Sequence, residues 1–488
     1  MTTSGCAENH PPPTADTHVT TDSGRILAAP AEDVIGVADP YSPTLFDDVG
    51  AVARVRDSGI RAMGYLSGSA PDLFDFRTGT LRVDPDKDRD GLSWIYPPPP
   101  ASFDKFASFA RDARSSALVH VDYGTGTPDE AAAWVRYANR TNNYGIRNWE
   151  IGEESYLNGS GPAWAWPDAH KNPDGTPEGP TSWAHNAAQF VTAMRQADPA
   201  IRIGIPVAPL FPATAGGHAE MWNAFATDWN NQVLAVLGPL IDFVDLHWYP
   251  QREETDDAAL LAAPRAIGAL SQALRQQLVA SGSHADILVG ETNSSAVSFG
   301  KQAVGIVNAL FLVDDMLTWL EQGALGVDWY AWQIAMAADE DHPQLHGDAN
   351  FGTIGLLSTG GCVDTRSQRH ICEPARNTPF APYYTLELVS HLMQPGTRLL
   401  EAQSDNPSVI THALSQPDGT ITVVLINTDP AAAHRVQVQL PGSRLDGDIT
   451  VTSFGDKDND LRTEKSEATT VRELAPYSVT AVTYHPAR

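Results

Sequence analysis

The sequence has few basic residues, few cysteines and no apolar run long enough to cross a membrane. Its 488 residues include 60 acidic and only 32 basic side chains, which gives a formal net charge of −28 at pH 7. This excess of negative charge argues against nucleic acid or an anionic membrane surface as a partner, whereas a neutral sugar polymer is not repelled. The best candidate for a span, from Ile306 to Leu320, contains Asp314 and Asp315 and is shorter than the ~18 residues required. We therefore expect no membrane span.

The three cysteines bear on the cellular compartment. Cys362 and Cys372 bracket a polar loop and are close enough in sequence to form a local disulfide, which would indicate an oxidising compartment. The alternative is two unpaired loop thiols in a cytosolic enzyme. Cys6 follows Ser4-Gly5 and resembles the cleavage end of a bacterial lipoprotein signal, although the basic and apolar segments that should precede it are missing. We expect an extracellular or cell-surface protein, with a cytoplasmic one as the alternative.

The length and the spacing of apolar runs predict two folded domains. A (β/α)8 barrel alone often takes ~250 residues, so this length favours two domains over three. Residues 1–30 are rich in Pro, Thr and Asp and are predicted to be a disordered lead or tether. Over residues 31–394, eight strand-like runs alternate with helical patterns, which predicts an α/β fold, a parallel (β/α)8 TIM barrel. The predicted strands are 34–38, 59–65, 117–123, 146–152, 201–207, 241–247, 287–291 and 324–331, and the clearest predicted helices are 129–140, 182–196, 258–280 and 305–321.

From residue 395 to residue 488 the helical patterns stop. Short strand-like runs follow one another there, separated by turn signals such as Pro417-Asp418-Gly419 and Pro441-Gly442. Strands joined by such turns are typical of a β-sandwich, so a C-terminal β-sandwich domain is predicted over residues 395–488. Its predicted strands are 408–414, 420–427, 433–440, 448–454, 469–473 and 478–484.

Two of the predicted barrel strands end on glutamate. The fourth runs into the segment Trp149 to Glu154, and the seventh ends at Glu291. Because catalytic residues of a (β/α)8 barrel lie at the C-terminal ends of its strands, both side chains are expected at one site. A pair of carboxyl groups there predicts glycoside hydrolysis. The alternative is that Glu154 and Glu291 are helix-start carboxylates favoured by the helix dipole.

Further motifs surround these two glutamates. The segment Trp149 to Glu154 matches the pattern Trp-x-x-Gly-Asn-Glu except at Glu153. The other motifs are His247-Trp248-Tyr249 after strand six, Tyr123-Gly124-Thr125-Gly126 after strand three, and a final strand from Leu474 to Val482. With them the chain resembles glycoside hydrolase clan A, in particular the arabinofuranosidase-like families 51 and 39, with the glucuronidase and heparanase-like family 79 next. The resemblance extends over nearly the whole chain from about residue 30.

The resemblance implies a role for each of the matching residues. Glu154 would be the general acid/base and Glu291 the nucleophile of a retaining mechanism, so their environments must separate their pKa values. Tyr249 would hydrogen-bond Glu291 and His247 would touch the sugar, with core and turn packing as the alternative for both. Trp332, after strand eight, would lie beneath the sugar or, alternatively, pack inside the barrel.

Three positions depart from the family pattern. Glu153 stands where the family has an Asn that hydrogen-bonds the sugar 2-hydroxyl, and Gly64 stands where it has an Arg that steadies the nucleophile. Asp122 replaces an Asn of many relatives. All three changes make the expected pocket more acidic. The predicted substrate-binding residues are Glu153, Asp122, Tyr123, His247, Tyr249 and Trp332.

Three functions are compatible with these residues. The first is a retaining, exo-acting glycosidase for a plant or bacterial oligo- or polysaccharide, most similar to an α-L-arabinofuranosidase but with an altered subsite. The second is a non-catalytic carbohydrate-binding pseudoenzyme on the same fold. The third is a cation-binding module that uses Asp122, Glu153 and Glu154. For the glycosidase we expect a carbohydrate substrate, no cofactor and no metal, and possible association into a homo-oligomer.

Overall fold

The structure is a computed structural model in which the chain forms two compact units. One unit comprises residues 28–397, and the other combines residues 1–27 with residues 398–488. The described residues are 15–38, 48, 50–66, 68, 70–82, 102–157, 170, 178–212, 217–251, 256–296, 300–336, 352–364, 369–441, 445–467 and 471–486. Cys6, and with it the lipoprotein prediction, lies outside them.

The helices and strands have the following bounds. The strands are β1 (Thr17–Ala28), β2 (Ile35–Ala38), β3 (Ala62–Tyr65), β4 (Phe74–Asp75), β5 (Thr80–Leu81), β6 (Ser116–Val121), β7 (Asn148–Ile151), β8 (Arg202–Val207), β9 (Phe243–Trp248), β10 (Asp286–Thr292), β11 (Val327–Tyr330), β12 (Cys362–Asp364), β13 (His370–Cys372), β14 (Arg398–Ser404), β15 (Val409–Ser415), β16 (Ile421–Asn427), β17 (His434–Gln439), β18 (Leu445–Gly455), β19 (Arg462–Glu467), β20 (Arg472–Leu474) and β21 (Ser478–Pro486). The α-helices are α1 (Ala51–Asp57), α2 (Phe103–Ala113), α3 (Pro128–Val135), α4 (Pro180–Ala197), α5 (Gly217–Leu237), α6 (Asp257–Ala262), α7 (Ile267–Ala280), α8 (Ile306–Glu321) and α9 (Ala381–Leu392).

The larger unit is a closed barrel of eight strands in the order β10-β11-β2-β3-β6-β7-β8-β9. Each strand pairs in parallel with its neighbours. The predicted (β/α)8 fold is thus confirmed, and each of the eight predicted strands overlaps one of these strands. Parallel strands are covered on both faces, which is why they read as continuous apolar runs. In β9, for example, every residue is buried.

The apolar run from Ile306 to Leu320 lies in the barrel helix α8. Almost all of its side chains are buried, including Asp315, whose Oδ2 accepts a hydrogen bond of 3.0 Å from the Thr292 hydroxyl. The helix is apolar on all sides because it is packed on all sides. Among the described residues, no helix combines the length and the apolar character needed to cross a membrane.

The helix predicted over residues 258–280 is interrupted. Its first part, α6, ends at Ala262, and a 3₁₀ turn from Ala263 to Ala266 leads into α7. Pro264 lies in that turn. Because proline has no backbone N–H and its ring clashes with the preceding turn, an α-helix cannot continue through this position undisturbed.

The smaller unit is one mostly antiparallel sheet, in the order β19-β18-β21-β16-β15-β14-β1-β17-β20. Its buried core draws on strands from across this order, including Val19, Val423 and Val436. Nδ2 of Asn427, at the end of β16, lies 3.4 Å from the carbonyl oxygen of Leu474 in β20, five strands away. A flat sheet would separate these strands by ~24 Å at ~4.8 Å per strand. The sheet therefore folds back over its own core, which is the predicted sandwich built from one continuous sheet.

The prediction of a disordered lead over residues 1–30 is wrong for residues 17–28. These residues form β1, which lies between β14 and β17 and pairs with β17 in parallel. At its start Thr17, Val19 and Thr21 are buried while the intervening residues are exposed. This alternation of β-branched residues is a strand pattern, and the Thr-rich composition concealed it.

The hairpin of β12 and β13 carries the predicted disulfide, since Cys362 and Cys372 are directly paired across it and covalently linked. For protein isolated under oxidising conditions, we expect one alkylatable thiol per unfolded chain without reductant and three with it. Reduction should lower the free energy of unfolding by about 2–3 kcal/mol, because the closed loop is short. Alkylation followed by intact mass measurement tests this, and three modified thiols in the unreduced protein would contradict it.

Candidate active site

The C-terminal ends of β7, β9 and β10 bring four of the predicted residues together. Glu154 follows β7, His247 lies in β9 with Tyr249 just beyond it, and Glu291 lies in β10. All parallel strands of a closed barrel point the same way, so side chains 137 positions apart in sequence meet at one rim. Neither glutamate starts an α-helix, because Glu291 is inside a strand and Glu154 precedes a single 3₁₀ turn. The helix-dipole alternative therefore does not explain them.

The two glutamates share one contact atom. Nδ1 of His247 lies 3.0 Å from Oε1 of Glu154 and 3.4 Å from Oε2 of Glu291. These two oxygens can therefore be no further apart than the sum of the two distances. The hydroxyl of Tyr156 donates to Glu154 Oε1 at 2.9 Å, and the hydroxyl of Tyr249 donates to Glu291 Oε2 at 2.5 Å. Each carboxylate thus has its own phenol donor.

A tight turn after β7 sends consecutive glutamates in different directions. Gly152 has φ 75° and Glu154 has φ 42°, the left-handed region that a non-glycine residue enters at a cost. A Cβ on Gly152 would stand 2.6 Å from the Ser155 hydroxyl, so this close turn requires glycine. As a result the Glu153 side chain is fully buried, whereas the Glu154 side chain is 16% exposed. Glu154 is the one a substrate can reach.

Glu153 lies beneath the pair as a buried acid. Its nearest basic atoms are Nδ1 of His120 at 3.4 Å and Nδ1 of His247 at 3.6 Å. Burial, together with the charges of Glu291 and Glu154, raises its pKa well above the usual range, although His247 opposes this. This direction favours the neutral acid, which has both a donor and an acceptor group, as the amide of the expected asparagine also has. The departure at Glu153 therefore adds less charge than the sequence implied.

The charge beside Glu291 comes from His247. Burial raises the pKa of Glu291, His247 lowers it, Glu154 raises it and Tyr249 lowers it, and the balance lies at about 7. Burial lowers the pKa of His247, but Glu291, Glu153 and Glu154 outweigh this, so the pKa lies well above its usual range. Gly64, in β3, has no side chain to contribute. The raised pKa favours the protonated imidazole of His247, 3.4 Å from the carboxylate of Glu291.

Three of the predicted substrate-binding residues are placed elsewhere, which corrects those predictions. Tyr123 packs on Trp183, and its hydroxyl donates to Glu178 at 2.5 Å. Trp332 has no exposed surface and packs edge-on against Tyr383, so the barrel-packing alternative accounts for it. Position along a strand end specifies the rim of the barrel, but side-chain direction depends on neighbours that the sequence does not identify.

Asp122 is the third of these residues. Its oxygens accept hydrogen bonds from the Thr125 backbone N–H at 2.8 Å and the Thr125 hydroxyl at 2.7 Å, and Arg82 lies 3.4 Å away. The carboxylate therefore closes a turn, and the cation-binding set with Glu153 and Glu154 is not assembled.

Four residues that the predictions omitted do surround the site: Tyr156, His120, Glu150 and Asp245. The available signal for the last three was a polar residue inside an otherwise apolar strand.

Replacing Asp122 by asparagine should stabilise the protein in a pH-dependent way. Burial raises the Asp122 pKa to about 6, opposed by hydrogen bonds from Thr125 and by Arg82. Because the folded-state pKa exceeds the unfolded value of 3.8, ionisation costs stability increasingly between pH 4 and 6, and the full cost persists above. We expect Asp122→Asn to be near neutral at pH 4 and more stable by about 2 kcal/mol at pH 7. Denaturant unfolding at both pH values tests this, and an equal effect at both would contradict it.

The chain is similar to known arabinofuranosidases. No family model matches it. It is 24% identical over 275 residues to the probable alpha-L-arabinofuranosidase C of Aspergillus terreus, a match that covers 52% of this chain and 51% of the relative. The chain thus spans about half the length of the curated relatives it matches. The proteins of the same name from Aspergillus clavatus and Aspergillus flavus are also 24% identical over the matched residues.

The solved structures extend the similarity in fold to almost the whole chain. An alpha-L-arabinofuranosidase from Thermotoga maritima, determined as its arabinose complex, is 14% identical with a TM-score of 0.67, and the match covers 96% of this chain and 99% of that one. A family 44 xyloglucanase from Paenibacillus polymyxa gives the same TM-score at 10% identity, covering 96% and 100%. The sequence relatives confirm the resemblance to arabinofuranosidase-like glycoside hydrolases, and the solved structures agree with it in fold. At these identities the structural matches show the fold alone, and the two neighbours differ in substrate.

Proposed function

We propose that this protein is a retaining exo-glycosidase that removes an α-L-arabinofuranosyl residue from a plant or bacterial oligo- or polysaccharide. The observation that carries the proposal is the placement of Glu154 and Glu291 around one nitrogen of His247 at the C-terminal rim of the barrel. The sugar identity is proposed from the activity of the similar proteins, and the two-carboxylate chemistry is proposed from the residues of the site.

The mechanism assigns one proton and one bond to each glutamate. Ionised Glu291 attacks the anomeric carbon while Glu154 gives its proton to the glycosidic oxygen, so the leaving group departs as an alcohol and a glycosyl ester forms on Glu291. Glu154, now ionised, takes a proton from a water molecule whose oxygen attacks the same carbon. The ester breaks, and two inversions give net retention of configuration.

The contacts of the site support this division of roles. Glu154 is the more exposed of the two carboxyl groups and can exchange its proton with water between the steps. Glu291 is the more buried of the two, and the charge of His247 and the hydrogen bond from the Tyr249 phenol both lower its pKa. A buried, oriented nucleophile and a more accessible acid/base are what the retaining mechanism requires.

The proposal is tested with aryl α-L-arabinofuranoside, aryl β-D-xylopyranoside and aryl β-D-glucopyranoside, together with arabinoxylan and arabinan. We expect turnover of the arabinofuranoside and release of monomeric arabinose, with the first-formed anomer, seen by NMR, the same as in the substrate. Inversion would contradict the mechanism. Sugar binding detected by calorimetry without cleavage of any substrate would instead identify the carbohydrate-binding pseudoenzyme.

Tyr249→Phe is expected to lower kcat by ~10- to 10²-fold, because a hydrogen bond to a charged acceptor contributes about 1.5–3 kcal/mol. Tyr249 lowers the pKa of Glu291, so its loss should also move the acidic limb of the kcat/KM profile from near pH 7 to higher pH. The matched control is Tyr137→Phe, which removes a phenol bonded at 2.9 Å to Asp104 on the protein surface. A limb that is unmoved in Tyr249→Phe would contradict the contact.

A further inference from the structure

A second cluster of chemically active side chains lies inside the barrel, below the catalytic pair. It consists of His120 in β6, Glu150 in β7 and Asp245 in β9, and one donor atom of each lies within 4.8 Å of the others. All three residues are buried, with exposures of 4%, 0% and 1%. No step of the proposed glycosidase mechanism uses them.

The orientation of His120 directs a lone pair into this cluster. Its Nδ1 lies 2.9 Å from the carbonyl oxygen of Leu66, which can only accept, so Nδ1 carries the hydrogen. In its neutral form the ring then presents an unprotonated Nε2, and this atom lies 3.4 Å from Oε2 of Glu150. A histidine whose other nitrogen donates to a backbone carbonyl is the arrangement that metal-binding histidines adopt.

The carboxyl oxygens around that lone pair are acceptors as well. Apart from a hydrogen bond between the Glu150 and Asp245 carboxyl groups themselves, both Glu150 oxygens, Oδ2 of Asp245 and His120 Nε2 have no hydrogen-bond partner among the described residues. The other oxygen of Asp245 is held by the Gly290 backbone N–H at 2.7 Å. A Cβ at Gly290 would come within 2.1 Å of Asp245 Oδ2, so glycine here makes the room that this carboxylate occupies. Acceptors that converge in a dry interior need a cation or a proton between them.

We propose that His120 Nε2, Glu150 and Asp245 Oδ2 bind a divalent transition-metal ion of the zinc class. One imidazole and two carboxylates are ligands that zinc accepts in proteins, and together they neutralise its charge. Two ligands bound at ~2.0–2.2 Å stand roughly 3.3 Å or more apart in a tetrahedral site, close to the 3.4 Å between His120 and Glu150. In the described part of the chain, the only basic side chains within 4.0 Å of Glu150 or Asp245 are His120 and His247.

The first test measures metal content and stability of the full chain, purified without a histidine tag or chelator. We expect elemental analysis to find one equivalent of zinc after growth with zinc, and removal by dipicolinate to lower Tm by at least ~5 °C. Co²⁺ added to the stripped protein should restore Tm and give visible absorption bands of a four- or five-coordinate site. If neither Zn²⁺ nor Co²⁺ binds, the proposal is overturned, and a proton shared by Glu150 with its neighbours occupies the cluster.

The second test identifies which of the buried carboxyl groups bind the metal ion. Glu150→Gln keeps the side-chain shape, removes an anionic ligand and should abolish the stoichiometric metal. The matched control is Asp328→Asn, another fully buried carboxyl of the barrel, which should retain it. Metal lost from Glu153→Gln but kept by Glu150→Gln would place the ion at the alternative group Glu153, His247 and Glu291, and this too would overturn the proposal. If Glu150→Gln does not fold, the cobalt spectrum of the unmodified protein still decides whether an ion binds.

Discussion

Glu291→Ala is expected to reduce hydrolysis of an aryl α-L-arabinofuranoside by on the order of 10⁴-fold or more, because the glycosyl ester cannot form without the attacking carboxylate. Added azide should restore part of the rate. It would enter the space of the missing carboxylate and attack the anomeric carbon on the face opposite the leaving group. The product should therefore be the glycosyl azide of inverted configuration, identified by NMR.

The matched control for this variant lies on the same strand. Asp286 begins β10 at the opposite end of the barrel, where it pairs with Arg202 on the surface at 2.8 Å. Asp286→Asn should keep the activity of the unmodified protein. If Glu291→Ala folds normally, with an unchanged circular dichroism spectrum, and hydrolyses the substrate at the original rate, Glu291 is not the nucleophile.

Glu154→Ala should have the second largest effect, and its size should depend on the leaving group. Loss of a general acid costs ~10²- to 10⁴-fold when the departing oxygen must be protonated, as in an alkyl glycoside or a polysaccharide. A dinitrophenyl leaving group needs no proton, so glycosyl-enzyme formation should remain fast and a burst of dinitrophenol should precede slow turnover. Azide would then attack the glycosyl-enzyme from the vacated side, and the glycosyl azide should have retained configuration.

The neighbouring glutamate provides the comparison for Glu154. Glu153 is buried and its environment favours the neutral acid, so Glu153→Gln replaces one uncharged group by another of the same shape. We expect it to lose much less activity than Glu154→Ala, without a change in leaving-group dependence. If instead Glu153→Gln shows the burst and the azide product of retained configuration, the acid/base is Glu153. The assignment of Glu154 as the glutamate that faces the substrate would then be wrong.

Much of the barrel could be predicted because each of its strands has a local apolar sequence pattern of its own. Apolar runs buried on both faces, separated by helical patterns, identify parallel strands without reference to any partner. The same local logic identified Glu154, Glu291, His247 and Tyr249, since a residue at the C-terminal end of a barrel strand must lie at the rim. It failed for β1, which forms a strand because it pairs between β14 and β17, nearly 400 residues away in sequence.

The chemical state of the site could not be predicted in this way. Glu153 and Asp122 both appeared to acidify the pocket, yet Glu153 is a buried acid with a raised pKa and Asp122 closes a turn beside Arg82. Tyr123 and Trp332 stand at sequence positions where the resemblance predicts substrate contacts, but their side chains are buried against other aromatic side chains. In each case the outcome depends on distances of a few ångströms to residues remote in the chain, because burial and neighbouring charges determine which form of an acid is stable.

By itself, the sequence determined which eight strands form the barrel and approximately where they end, and therefore that two carboxyl groups lie at one rim of the barrel. The tertiary structure alone decided that both contact one nitrogen of His247, that Glu153 lies beneath them, and that His120, Glu150 and Asp245 converge below. The physical reason is the range of the interactions. Strand formation depends on a local apolar pattern, whereas the charge, orientation and proton of each buried group depend on side chains that folding brings within about 4 Å.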